Sequence, residues 1–274
     1  MEPLRQKIVA ELSKEKGVFA VVFKEIDGRH EIRINDTLTY HAASTMKTPV
    51  MAEVYREVAE GKIRLDDPVL LKNEFKSLVD GSPYSLDSTD DSETDLYKHL
   101  GETRPVKELL FKMIAVSSNF STNLIMEKVG AKNVTCYMEG LGATGIHVLR
   151  GVEDGKAFAL GMNNTVTARG LAVLFEKLGL YKIGDKATST AMLDILSAQH
   201  FSEIIPAGCP PGTKVAHKTG SITGVQHDSG IVYMPDGRKY VLVILSKNLE
   251  DEKSAIPAMA RVSKMIWDYM SAAK

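Results

Sequence analysis

His41-Ala42-Ala43-Ser44-Thr45-Met46-Lys47 places a serine at the entry to a helix and a lysine three positions later. Residues three apart share a helix face, so the Lys47 amine is expected to reach the Ser44 hydroxyl. A serine hydroxyl is a weak nucleophile until a base takes its proton, and a lysine whose pKa is lowered by burial or by a second cation can be that base. Alone, Ser-x-x-Lys is also what an ordinary helix N-cap followed by a solvated lysine looks like. Pro49 removes a backbone donor early in the helix and is expected to distort its first turns.

On the N-terminal side of this stretch, apolar residues recur at helical spacing from Leu4 to Ser13, and Gly17 ends that helix. Val18 to Lys24 is β-branched and aromatic, Asp27-Gly28 is a turn, and His30 to Asn35 alternates, which predicts a hairpin. On the C-terminal side a helical pattern runs from Thr45 to Gly61. Mostly helical segments follow to about His200, among them Val106 to Val116, Asn119 to Val129 and Ala168 to Leu178. Between Asn73 and Gly101 the chain is rich in Asp, Ser and Thr and reads as a solvated loop. Strands return at Thr213 to Thr219, Ser229 to Met234 and Tyr240 to Ser246, and Glu250 to Ala273 reads as a closing helix in which Trp267 packs on the sheet. The predicted class is α/β (α+β). An antiparallel sheet shared by residues 1–50 and 203–274 is flanked by the terminal helices, and an all-helical subdomain is inserted over 51–202.

Composition narrows the function. The chain has 274 residues, 44% hydrophobic and 25% charged, which excludes a disordered or fibrous protein. Lys plus Arg number 34 against 35 Asp plus Glu, so there is no basic field to neutralise a phosphate backbone, and nucleic acid is not an expected partner. Cys136 and Cys209 show no metal-ligand spacing, and their pairing is left open. His217 and His227 are ten apart without a carboxylate cluster and read as structural rather than as metal ligands. No apolar run has the length of a membrane span, and the N-terminus carries no apolar signal core. The chain reads as soluble and as compatible with a mature form whose secretion signal has been replaced by Met1.

Two further strings complete the pattern: Ser117-Ser118-Asn119, and Lys218-Thr219-Gly220 on a predicted strand. Separately they are helix-capping and strand-end composition. In the order Ser-x-x-Lys, Ser-x-Asn, Lys-Thr-Gly they are the set of the active-site serine penicillin-recognising enzymes. Over nearly its whole length the chain resembles the class A β-lactamase family, and Glu153 lies in Arg150-Gly151-Val152-Glu153-Asp154-Gly155, where that family carries its deacylating glutamate on an omega-shaped loop, here near 147–164.

The resemblance implies these roles. Ser44 would be acylated, with the backbone N–H groups of Ser44 and Ser221 as the oxyanion hole. Lys47, or Glu153 through a water, would be the acylation base. Ser117 would pass a proton to the departing nitrogen, and Asn119 would hold Lys47 and the substrate amide. Lys218, Thr219 and Ser221 would bind the substrate carboxylate, and Glu153 would activate the deacylating water. Gly220 and Asn123 would support the site from behind it, although Asn123 reads equally well as a helix-surface residue. No metal or organic cofactor, a small-molecule β-lactam partner, a monomer and a periplasmic or secreted location are expected.

The pattern departs from the family in several places. Ser118 stands where a carboxylate normally braces the site. Ala157 stands where an Asn normally shares the hydrolytic water, and Asn163 and Asn164 are too distant in sequence to replace it. The strand His227-Asp228-Ser229-Gly230 lacks the arginine often found beside the substrate carboxylate. Tyr97 is a weak candidate for a cleft wall. A D,D-peptidase or esterase of the same superfamily, and a sensor that is acylated once without turnover, are the alternatives.

Overall fold

The computed structural model describes residues 1–272; Ala273, expected in the last helix, lies outside them. Helix α1 (Glu2–Leu12) leads into the hairpin β1 (Val18–Glu25) and β2 (Glu31–Ile34). A short strand β3 (Tyr40–His41) precedes a 3-10 turn, Ala43–Met46, and helix α2 (Lys47–Ala59). Pro49 is thus the third residue of an α-helix whose entry is a 3-10 turn rather than a regular first turn.

Next come β4 (Pro68–Leu70), β5 (Phe75–Lys76), β6 (Pro83–Tyr84) and β7 (Thr103–Pro105), then the helices α3 (Val106–Ala115), α4 (Asn119–Val129), α5 (Ala131–Gly140) and α6 (Gly155–Ala159). Strand β8 (Thr165–Val166) and helices α7 (Ala168–Gly179) and α8 (Lys186–Ser197) lead to β9 (Val215–Ile222), β10 (Val225–Tyr233), β11 (Lys239–Lys247) and α9 (Glu252–Ala272).

The main sheet is antiparallel, in the order β2-β1-β11-β10-β9, so the two ends of the chain meet at its centre: Val18 pairs with Lys247 and Glu25 with Tyr240. Its inner strands are apolar on both faces because each face is covered. Successive side chains of a strand point to opposite sides. Phe19, Val21 and Phe23 therefore join Leu4, Ile8, Val262, Ile266 and Trp267 of the terminal helices, and Ala20 and Val22 join the core of the helical middle, with Leu171, Phe175 and α2. Helix α2 is buried nearly all round, as expected of a central core helix.

Two expectations need correction. Strand β10 begins at Val225, four residues before the predicted start, because Gln226, His227 and Asp228 are buried and paired inside the sheet. The Asp/Ser/Thr-rich stretch from Asn73 to Gly101 is not simply a solvated loop. It contains the β5–β6 hairpin, sends Phe75, Leu86 and Leu96 into the core, and buries Asp91 and Glu93. Its short polar side chains accept hydrogen bonds from backbone N–H groups rather than from water alone.

Trp267 is the chain's one tryptophan and is 8% exposed. Trp267→Ala is expected to cost about 3–5 kcal/mol of stability, the range for truncating a large buried aromatic. Urea denaturation followed by circular dichroism measures it; a loss below about 1 kcal/mol would mean that the α9 contact with the sheet is not a packing anchor.

Candidate active site

Ser44 sits in the 3-10 turn ahead of α2. Ala43 adopts φ 43°, a left-handed conformation that costs a non-glycine residue energy and persists only where surroundings enforce it. The enforcement is local: Tyr40 pairs with Val166, Ala42 N donates to Asn164 O at 2.8 Å, and Thr45 Oγ1 donates to Ala42 O at 2.6 Å. Edge strand β9 closes the other side. A Cβ on Gly220 would stand 3.0 Å from Ser44 N and 3.1 Å from Thr45 N, so the missing side chain is what lets the strand approach the Ser44 backbone.

Lys47 Nζ donates to Ser117 O (2.7 Å), Ser117 Oγ (3.2 Å) and Asn119 Oδ1 (2.8 Å); among the described residues it makes no hydrogen bond to Ser44. From the opposite side Lys218 Nζ donates to the same Ser117 Oγ (3.0 Å) and to Thr219 O (3.0 Å). Both amines are fully buried. Burial pulls the Lys47 ammonium down to about 7 against the opposing attraction of Asp91 and Glu153. Lys218 lies well below its usual value, first through burial and then through the neighbouring Lys47. Two amines occupying the Ser117 oxygen leave its O–H free to point into the cleft. Ser117 itself has φ 59°, a second strained residue at the same point.

Glu153 faces this group from the 147–164 loop, its Oε1 accepting from Asn119 Nδ2 at 3.1 Å, and it too adopts a left-handed φ of 61°. Its carboxyl is raised above the ordinary value by desolvation and by the charge of Asp90. Asn123 is buried and not on a helix surface: its Oδ1 accepts from Val152 N (2.6 Å) and its Nδ2 donates to Val152 O (3.0 Å), gripping the residue before Glu153. Asp154 caps α6 through Ala157 N and also accepts from Ser77 Oγ and Leu78 N, tying the loop to β5 and its neighbours. Ala157 is buried and presents no amide. Asn164 is spent on Leu149 N, Arg150 N and Arg150 O, and Asn163 accepts from the guanidinium of Arg150. Arg150, which sequence reasoning did not single out, binds the loop from inside through Met162 O, Gly151 O and Asn163.

Thr219 and Ser221 lie on β9, and Ser221 Oγ accepts from Gln226 Nε2 (2.8 Å), which is in turn anchored on Glu252. His227 is buried, with Nε2 2.8 Å from His41 O, and His217 Nδ1 lies 2.8 Å from Asp228 Oδ1, a carboxylate the sequence did not associate with it. Both histidines are engaged within the fold. Tyr97 lies behind the site, stacked on Phe120 at 4.5 Å, rather than in a cleft wall. Cys136 and Cys209 are unpaired. Two cavities, of about 340 and 480 Å³, meet at Ser44, Asn119 and Ser221. The first runs under the 147–164 loop and the second along Ser117 and Thr219.

A family model described as the beta-lactamase enzyme family matches residues 3–270. The chain belongs to this family. A Bacteroides uniformis beta-lactamase is 24% identical over 98% of this chain and 92% of its own length. A beta-lactamase from Sphaerobacter thermophilus superposes with a TM-score of 0.84 at 25% identity, covering 98% of both chains. A point mutant of PBP-A, solved as an acyl-enzyme complex with penicillin G, superposes with a TM-score of 0.83 at 24% identity, covering 99% of this chain and 97% of that one. The fold is that of the β-lactamases. Among the described residues no helix is long and apolar enough to cross a membrane.

Asn123→Ala would leave Val152 N without its partner and Val152 O with the Tyr84 hydroxyl alone. A loss of about 1–3 kcal/mol is expected, with faster hydrogen exchange confined to the 147–164 loop. Unchanged exchange there would mean that Asn123 does not secure the loop of this β-lactamase-family member.

Proposed function

We propose that the chain is a class A-like serine β-lactamase acting through an acyl-enzyme on Ser44. The observation that carries this reading is the continuous set of contacts Lys218–Ser117–Lys47–Asn119–Glu153 along the cleft floor beside Ser44. Ser44 Oγ attacks the lactam carbonyl carbon while its proton passes to neutral Lys47, or to Glu153 through a water. The oxyanion is held by the N–H groups of Ser44 and Ser221. The ring C–N bond then breaks, and the nitrogen takes the Ser117 hydroxyl proton, which Lys47 or Lys218 replaces. Thr219, Ser221 and Lys218 hold the substrate carboxylate, with Gln226 fixing Ser221 where an arginine is lacking. Glu153 finally takes a proton from the water that attacks the ester carbonyl, and as the ester C–O bond breaks Ser44 Oγ takes a proton back from Glu153 or Lys47, which regenerates the enzyme. No metal or organic cofactor enters this scheme.

Acylation is supported further by the penicillin G adduct described for the PBP-A mutant. A specific feature favours a second reading, a protein acylated once and slow to turn over: Ala157 has no amide for the water, and Asn164 is fully engaged. A D,D-peptidase would share the acylation half and would release terminal D-alanine. A periplasmic or secreted monomer is part of the main reading and rests on family resemblance alone.

With a chromogenic cephalosporin in large excess, sustained turnover is expected; a burst ending near one equivalent would replace the β-lactamase reading with the sensor reading. Ser44→Ala should give no adduct by intact-mass spectrometry. Glu153→Gln should still acylate but release product about 10²- to 10⁴-fold more slowly, and unchanged release would remove Glu153 from the mechanism.

The acylation rate should fall as pH drops below about 7, because Lys47 gains a proton there and can no longer accept one from Ser44. Rapid-quench acylation from about pH 5 to about pH 8 tests this; a flat profile would rule out Lys47 as the base.

A further inference from the structure

We infer that Asp91, a residue of the polar stretch before β7, is a positioning residue of this site: its buried carboxylate fixes the first turn of α4 and, through it, the Ser117 and Asn119 side chains. The inference rests on the serine-acylation reading. Asp91 Oδ1 accepts from Asn119 N (3.0 Å) and from Glu93 N (3.2 Å), and Oδ2 accepts from Phe120 N (2.8 Å) and the Tyr97 hydroxyl (2.9 Å), with Ser118 Oγ 3.5 Å away. The first four N–H groups of a helix have no partner within it. Here Lys112 O takes that of the N-cap Ser118, Asp91 takes those of Asn119 and Phe120, and Ser118 Oγ takes that of Ser121. Ser118 can serve one donor with its side chain, and the carboxylate serves the Asn119 and Phe120 donors from outside the helix.

Position matters more here than at an ordinary cap. Ser117, directly before the capped turn, is held in a left-handed conformation, and a strained residue persists only where its neighbours are fixed. Asn119, whose N–H Asp91 takes, bridges Lys47 and Glu153. Asp91 is 7% exposed, and Tyr97 stacked on Phe120 closes it off from water, so its charge acts at low screening. The charged groups acting on Lys47 are Asp91, Glu153 and Lys218, and those acting on Glu153 are Asp90, Lys47, Arg150 and Asp91. Loss of the Asp91 charge lowers the proton affinity of both candidate bases, so the acidic limb of acylation moves to lower pH whichever of them acts.

The test uses the full chain with penicillin G. It compares the parent, Asp91→Asn, and the exchange Asp91→Ser with Ser118→Asp, which regrows a carboxylate from the other side of the same contact. The readouts are the acylation rate by intact-mass spectrometry across pH and hydrogen exchange at the Asn119 and Phe120 amides. Asp91→Asn should acylate about 10- to 100-fold more slowly, the scale of a misplaced catalytic group, with its acidic limb at lower pH and both amides deprotected. The exchange variant should recover to within about threefold of the parent.

Acylation by Asp91→Asn within about threefold of the parent, or recovery of amide protection by the exchange variant without recovery of acylation, overturns the inference. If Asp91→Asn does not fold, the exchange variant decides on the same two readouts. A parent that forms no adduct removes the acylation reading instead. The amides then judge Asp91 alone, deprotection sustaining its positioning role and unchanged protection ending it.

Discussion

Two lysine amines buried against one serine oxygen are the constraint on which the rest of the molecule depends. Two desolvated like charges around Ser117 would be strongly unfavourable if both stayed fully protonated, and burial lowers the proton affinity of both amines. A neutral amine beside a hydroxyl is a base, so the cost of burial is also the source of reactivity. Lys47 comes from the central core helix, Lys218 from the edge of the sheet, and Ser117 from the turn before α4. Moving any of these elements breaks the group.

Among the described residues, three of the seven non-glycine residues with positive φ lie at this same place. Ala43, Ser117 and Glu153 each adopt left-handed φ values without being glycine, and they lie beside or at the residues that line the cleft. Each is held by its surroundings: the β3–β8 pair behind Ala43, the capped turn after Ser117, and the Asn123 grip before Glu153. This is the stability–function exchange expected where a scaffold over-determines a reactive geometry.

Much of the fold was legible because the sheet-forming ends carry β-branched runs with clear turns, and because α4 has the bounds, Asn119 to Val129, that its periodicity predicts. The three motif strings are likewise local and survive without coordinates. What was not legible depended on burial. Asp90-Asp91-Ser92 has the composition of a solvated loop, and only the packing of Leu86 and Leu96 into the core turns Asp91 inward; those flanking leucines were the available signal. Helical spacing relates Lys47 to Ser44 alone; its bonds to Ser117 and Asn119 come from a distant part of the chain, which spacing cannot record. Asn123 and Arg150 act on backbone groups of a loop, a kind of partner that no motif records.

The pairing of Val18 with Lys247 has a consequence for how the molecule comes into being. Strand β1 is made before the helical middle and its neighbour β11 after it, so the inner edge of β1 stays open while the residues between the two strands are synthesised. Contacts between such distant segments carry a high loop-closure cost and slow folding. The helical middle can collapse on α2 meanwhile, but β9, which carries Lys218, has no sheet to join until β10 and β11 exist. Competence for chemistry therefore waits on β10 and β11, the strands that join Lys218 to the rest of the sheet.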